Sequence, residues 1–300
     1  MPAERRRSFL RAVLITGGIG LFFFLLILGV GFLLAHREQL GGPKVALVEV
    51  DGIIEESKRV VDQIRHHVEN QTVQAFVIRI NSPGGGVAAS QEIHEEIKKI
   101  RQVHGKPVVA SFSTVGASGG YYIAAAADKI FANPGSITGS IGVIIQIPNL
   151  SDLLRKVGIR SVVIKSGPYK DMASATRELT AGERELLQRL IDDIHDQFIQ
   201  AVADGRRMSR EQVEKVADGR ILSGRQALDL GLVDQLGNLQ DAIATAAVMG
   251  GIPGKPQIVQ VKERQFSLLR FLLGSAPAIW RQRILGREGG QFSVDYLWQW

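Results

Sequence analysis

Two kinds of apolar pattern alternate through the middle of the chain. Short runs rich in valine and isoleucine read as strands: Lys44-Val45-Ala46-Leu47-Val48-Glu49-Val50, Ala75-Phe76-Val77-Ile78-Arg79-Ile80 and Pro107 to Phe112. Longer amphipathic stretches between them, Ser57 to Val68 and Val87 to Val103, read as helices. Further strands are expected near Lys129–Ala132, Gly142–Ile147 and Ser161–Ile164, with helices from Ser118 and from Ser151. Leu179 to Arg207 predicts a long helix, opened by Thr180 with Glu183 in a capping-box spacing. Ser209 to Val216 and Ser223 to Leu230 predict shorter helices under serine caps, and Asn238 to Met249 one that ends at Gly250-Gly251. This alternation predicts an α/β fold with a parallel sheet and crossover helices. No fixed-period repeat is visible.

The two ends depart from that pattern. Ala12 to Ala35 is an uncharged run around Leu21-Phe22-Phe23-Phe24-Leu25-Leu26-Ile27-Leu28. As a helix it would reach about 36 Å, enough for a hydrocarbon core of about 30 Å. It is longer than a signal-peptide core, and Leu33-Leu34-Ala35 is a poor cleavage site. The expectation is an uncleaved transmembrane helix. Arg5, Arg6, Arg7 and Arg11 precede it, which puts the N-terminus in the cytoplasm and residues 36–300 on the far side of an inner (cytoplasmic) membrane, periplasmic in a Gram-negative cell. From Phe266 the chain mixes large apolar residues with arginines and ends Tyr296-Leu297-Trp298-Gln299-Trp300. Such a tail fits a terminal helix packing on its own domain, contact with a membrane surface, or contact with another subunit.

Charge and cysteine content narrow the classes. The net charge is +6, but it sits at the two ends and leaves the middle neutral. Nucleic-acid binders need a basic face on the folded domain, so no nucleic-acid partner is expected. With no cysteine, disulfides, thiol proteases and Cys–zinc sites are excluded.

Three segments carry candidate chemistry. Val115-Gly116-Ala117-Ser118-Gly119-Gly120-Tyr121-Tyr122 places Ser118 in a glycine-rich strand-to-helix turn. Ser166-Gly167-Pro168-Tyr169-Lys170-Asp171-Met172 places Lys170 after another expected strand. Both positions are where α/β folds put their chemistry. A serine needs a base, and a lysine can be one. A free lysine, with a pKa of about 10.4, is neutral in about one copy in 2,500 at pH 7, and a shift to about 7 means disfavouring the charged form by roughly 4.6 kcal/mol. Burial can do this. Asp171 would oppose the shift unless it points elsewhere. The N–H of Gly119 is the natural first donor to an oxyanion. Asn81-Ser82-Pro83-Gly84-Gly85-Gly86 offers a second, with the spacing alone leaving Gly84, Gly85 and Gly86 open. Gly116-Ala117-Ser118-Gly119-Gly120 also fits the nucleophile elbow of α/β-hydrolases, but His195, the sole histidine after Ser118, falls in a polar stripe inside the long helix. The histidines show no metal spacing, and neither metal nor cofactor is expected.

Together these segments resemble the bacterial signal peptide peptidase A family of serine proteases, in its short single-copy form, over roughly residues 44–250. Asn81 to Gly86 is similar to that family's oxyanion turn and Gly116 to Tyr122 to its nucleophile segment. Ser136-Ile137-Thr138-Gly139-Ser140-Ile141-Gly142-Val143 and Tyr169-Lys170-Asp171-Met172 are similar to its remaining active-site segments. The resemblance implies a crotonase/Clp-protease-like superhelix of β-β-α and βα units and a Ser118–Lys170 dyad. It selects Gly85 as the second oxyanion donor beside Gly119, and has Ser140 orienting the lysine. It also implies remnant signal peptides as substrates and a homo-oligomer. The organisation expected is a basic tail (1–11), an anchor (12–35), a linker (36–43), a peptidase domain (44–262) and a basic-aromatic tail (263–300). Two rival readings are a coenzyme A thioester enzyme on the same superhelix and a non-catalytic membrane scaffold.

Overall fold

The structure is a computed structural model that describes residues 17, 20–29, 42–260 and 295–297. Strands β1 (Lys44–Asp51), β2 (Val73–Ser82), β4 (Val108–Ala117) and β5 (Lys129–Ala132) pair in parallel as the middle of one sheet. The expected parallel core is therefore present. Three short strands extend it: β6 (Ile137–Gly139), β8 (Gln235–Leu236) and β9 (Gln257–Val259). A fourth, β7 (Ile221–Ser223), joins antiparallel to β6, so the eight-stranded sheet is mixed.

The pleat sorts each strand's side chains between two cores. Ala46, Val48 and Val50 of β1, Phe76, Ile78 and Ile80 of β2, and Ala110 and Phe112 of β4 face one side. There they meet α1 (Lys58–Val68), α2 (Val87–Gln102), α3 (Gly119–Ala125) and α5 (Ala181–Arg206). Val45, Leu47, Ala75, Val77 and Val109 face the other side, under α8 (Leu239–Met249). Burial on both faces is why these strands read as continuous apolar runs. The remaining helices are α4 (Ser151–Lys156), α6 (Arg210–Glu214) and α7 (Gly224–Asp229).

Two expected strands do not form. The end of β4, Val115–Ala117, pairs with Ile137–Gly139, and β7 covers the far edge of that pair. Gly142–Ile147 forms no strand, and within it Ile144 alone makes a bridge. Ser161–Ile164 is also irregular, and its side chains face solvent, Val162 at 85% and Ile164 at 98% exposure. Residues 20–29 are helical, with Leu21 to Leu28 exposed. Among the described residues no helix is long and apolar enough to cross a membrane, and the rest of the expected anchor Ala12–Ala35 lies outside them. Most of the tail 263–300 lies outside them too. Its described part is β10 (Asp295–Leu297), which pairs antiparallel with β3 (Gly84–Gly86).

Candidate active site

Ser118 stands where β4 turns into α3. Its backbone is at φ 52° and ψ −118°, a conformation that side-chain-bearing residues rarely adopt. Two hydrogen bonds hold it: Ser118 N donates to Gly139 O at 2.9 Å, and Tyr122 N donates to Ser118 O at 2.8 Å. The side chain is 1% exposed, and its Oγ makes no hydrogen bond. A buried hydroxyl without a partner is rare in a folded protein and marks a group kept for something else.

The glycines around it permit close backbone approach. A Cβ on Gly119 would lie 2.5 Å from Ser90 Oγ and 3.3 Å from both Gly84 Cα and Gly85 N. A Cβ on Gly85 would lie 2.3 Å from Ile54 O. Ile54 N donates to Gly84 O at 2.9 Å, and Gly86 N donates to Ile54 O at 2.8 Å. Successive residues of a strand present their N–H and C=O groups to opposite edges. The N–H of Gly85 therefore points away from Ile54, toward the edge where Tyr296 of β10 stands opposite it. The N–H of Gly119, in the first turn of α3, has no intrahelical acceptor. The backbone of Gly85 thus passes close to Gly119, the residue that follows the buried serine.

Supporting residues with no sequence signal of their own hold this arrangement. Ser90, within α2, donates to Gly86 O at 3.0 Å, and Ser82 Oγ accepts from Gly84 N at 3.1 Å. His94 Nδ1 meets Tyr122 O of α3 at 2.8 Å, and burial pushes its imidazole below the usual range. Ser140 is buried next to Gly139, with φ 50° and its N donating to Arg220 O at 2.8 Å. Ser118, Gly85, Gly119 and Ser140 are thus brought to one place.

Lys170 is not. It lies solvent-exposed in the irregular stretch after Val162 and Ile164, in a series of turns in which Lys170 N donates to Gly167 O at 3.3 Å. The dry surroundings expected for it are absent within the single chain, because the apolar run before it has nothing to pack on. Asp171 does point elsewhere: Arg177 Nε and Lys165 Nζ reach its carboxylate at 3.0 and 2.5 Å. These two cations hold the Asp171 carboxyl well below the usual carboxylate range. His195, expected to be solvated, is half-buried, and its Nε2 is shielded without a hydrogen bond. Since Ser118 Oγ has no partner either, no Ser–His pair exists.

The chain is related to known peptidases. The model of peptidase family S49 matches residues 100–252, which include Ser118, Ser140 and Lys170. A Synechocystis sp. protein named as a protease is 46% identical over 233 residues, covering 77% of this chain and 83% of that protein. An Enterococcus faecium protein named for signal peptide peptidase SppA is 37% identical, covering 69% of this chain and 64% of its own length. Protease 4 of Salmonella typhi is 40% identical over 185 residues, 62% of this chain and 30% of that protein. This chain therefore spans less than a third of the longest of these three relatives. Family model and relatives converge on one assignment: the chain belongs to peptidase family S49 and is a serine peptidase.

Proposed function

We propose that this serine peptidase is a membrane-anchored endopeptidase whose nucleophile is Ser118 and whose general base is Lys170. The buried, strained and unpartnered Ser118 hydroxyl beside the close-packed backbone of Gly119 and Gly85 is the observation that carries the reading. Neutral Lys170 takes the Ser118 proton as Oγ attacks a peptide carbonyl. Gly119 and Gly85 donate to the oxyanion, and Ser140 orients the amine. The protonated lysine then gives its proton to the leaving amine, and water releases the acyl group.

Lys170 has to reach Ser118 for this to work. The exposed Val162 and Ile164 just before it support a homo-oligomer in which a second copy covers this segment and completes a dry site. The βα units support the Clp-protease-like superhelix, and the name of the Enterococcus relative supports remnant signal peptides as substrates. The anchor in 12–35 places residues 44–262 beside such peptides on the extracytoplasmic side of the membrane, and the charge distribution argues against a nucleic-acid partner.

Ser118→Ala and Lys170→Ala are each expected to abolish cleavage of a fluorogenic peptide with the fold intact. The double variant should be no worse than either single one, because members of one catalytic unit are non-additive. Mixing the two single variants should regain activity if a neighbouring copy supplies the lysine. Substantial cleavage by Lys170→Ala at pH 7 would remove the dyad.

A further inference from the structure

Ser161 to Thr180 carries the proposed base yet forms no helix or strand, so something other than a backbone ladder has to hold it. One side chain ties it down. Arg177 Nη2 donates to Asp171 Oδ1 at 2.8 Å and to Asp171 O at 3.2 Å, and Nε donates to Asp171 Oδ2 at 3.0 Å. The same guanidinium donates through Nη1 to Glu183 Oε2 at 2.8 Å and through Nη2 to Glu183 Oε1 at 2.5 Å. Nη1 also reaches Glu178 O at 2.9 Å. Glu183, with its side chain 3% exposed, is fixed in turn as the acid of the α5 capping box, accepting from Thr180 N at 2.9 Å. A planar fork that grips two carboxylates bidentately is something only arginine can supply.

We infer that Arg177 is a positioning residue for Lys170: it ties the lysine turn to the start of α5 and keeps the neighbouring Asp171 carboxylate turned away from the amine. The inference rests on Lys170 being the base. The charged groups that meet here are Lys165, Lys170, Asp171, Arg177 and Glu178 on the segment, and Glu183 and Arg184 in the first turn of α5. Lys165 and Arg177 face Asp171 and Glu183, so the clamp is neutral as built. Without Arg177, Asp171 keeps only Lys165 and becomes free to face its neighbour. An unneutralised carboxylate beside Lys170 favours the ammonium, which cannot act as base.

The test is kcat/KM against pH, from 6 to 10, on the full chain with a fluorogenic peptide. Arg177→Gln is expected to lose at least tenfold at pH 7 and to move the acid limb up by about half a unit or more. Arg177→Lys should not rescue it, since one ammonium cannot bridge both carboxylates. Adding Asp171→Asn to Arg177→Gln should return the limb to its original position while the rate stays low, because the tie to Glu183 is still missing. A lowered rate with an unmoved limb, or a limb that stays shifted in the double variant, would overturn the inference. Should Arg177→Gln fail to fold, Asp171→Asn alone decides. Arg177 without its anion should move the limb to lower pH, and an unmoved limb counts against the role. An active Lys170→Ala would instead remove the dyad itself, a failure separable from that of Arg177.

Discussion

Ser118 and Gly85 set the geometry of the site by opposite means. Ser118 is a side-chain-bearing residue held in a conformation that costs on the order of 1–3 kcal/mol, which the Gly139 and Tyr122 hydrogen bonds maintain. Gly85 is where it is because nothing larger fits: a Cβ would be 2.3 Å from the carbonyl oxygen of Ile54, a backbone atom that cannot swing aside. Gly85→Ala is therefore expected to displace β3 and lower kcat by about a hundredfold or more, the scale of a lost oxyanion donor. Gly135→Ala, with open space around the new methyl, should be silent in the same assay. The run Gly84–Gly86 was legible in the sequence as a strand-to-helix turn, but its spacing left all three glycines open and only the family resemblance selected Gly85. Ser90 and Arg177 were not legible. A serine within a helix and an arginine in a loop look like hundreds of surface residues until the fold brings Gly86, Asp171 and Glu183 to them.

At the scale of elements, helix starts were the best-read feature. Thr180–Glu183, Ser209–Gln212, Ser223–Gln226 and Asn238–Asp241 each close a capping box, which is local chemistry that needs no tertiary context. Strands depend on a partner. Ser161–Ile164 has the composition of a strand but no edge to pair with, and the pairing of Ile137–Gly139 with β4 depended on how the chain returned. The tail illustrates the same limit. Its composition fitted three roles, one of them a helix packed on its own domain; the described part instead pairs as a strand with its own chain, along the edge of β3 that carries the Gly85 N–H. An extended substrate using that edge has to displace β10. Deleting residues 295–300 is thus expected to raise kcat/KM for a short soluble peptide several-fold with little change in melting temperature. An unchanged kcat/KM would mean that substrate and tail do not share the edge.

For the whole molecule, the sheet's two-sided burial makes one rigid body of the strands that position Ser118 and the helices behind it. His94 is a buried titratable group built into that body. Burial depresses its pKa, so the unfolded chain binds a proton that the folded chain does not once pH falls below about 6.5. The His94 contribution to stability should accordingly decline from about pH 6.5 downward and level off below the depressed folded value. The difference in melting temperature between pH 7.5 and 5.5 should shrink in His94→Gln. Labelling the full chain with a serine-reactive phosphonate and mapping the adduct by mass spectrometry decides whether Lys170 activates Ser118. A single adduct on Ser118 is expected, formed at least about a hundredfold more slowly in Lys170→Ala because the hydroxyl has lost its base. An adduct on another serine, or equal labelling of Ser118 in Lys170→Ala, would contradict that activation.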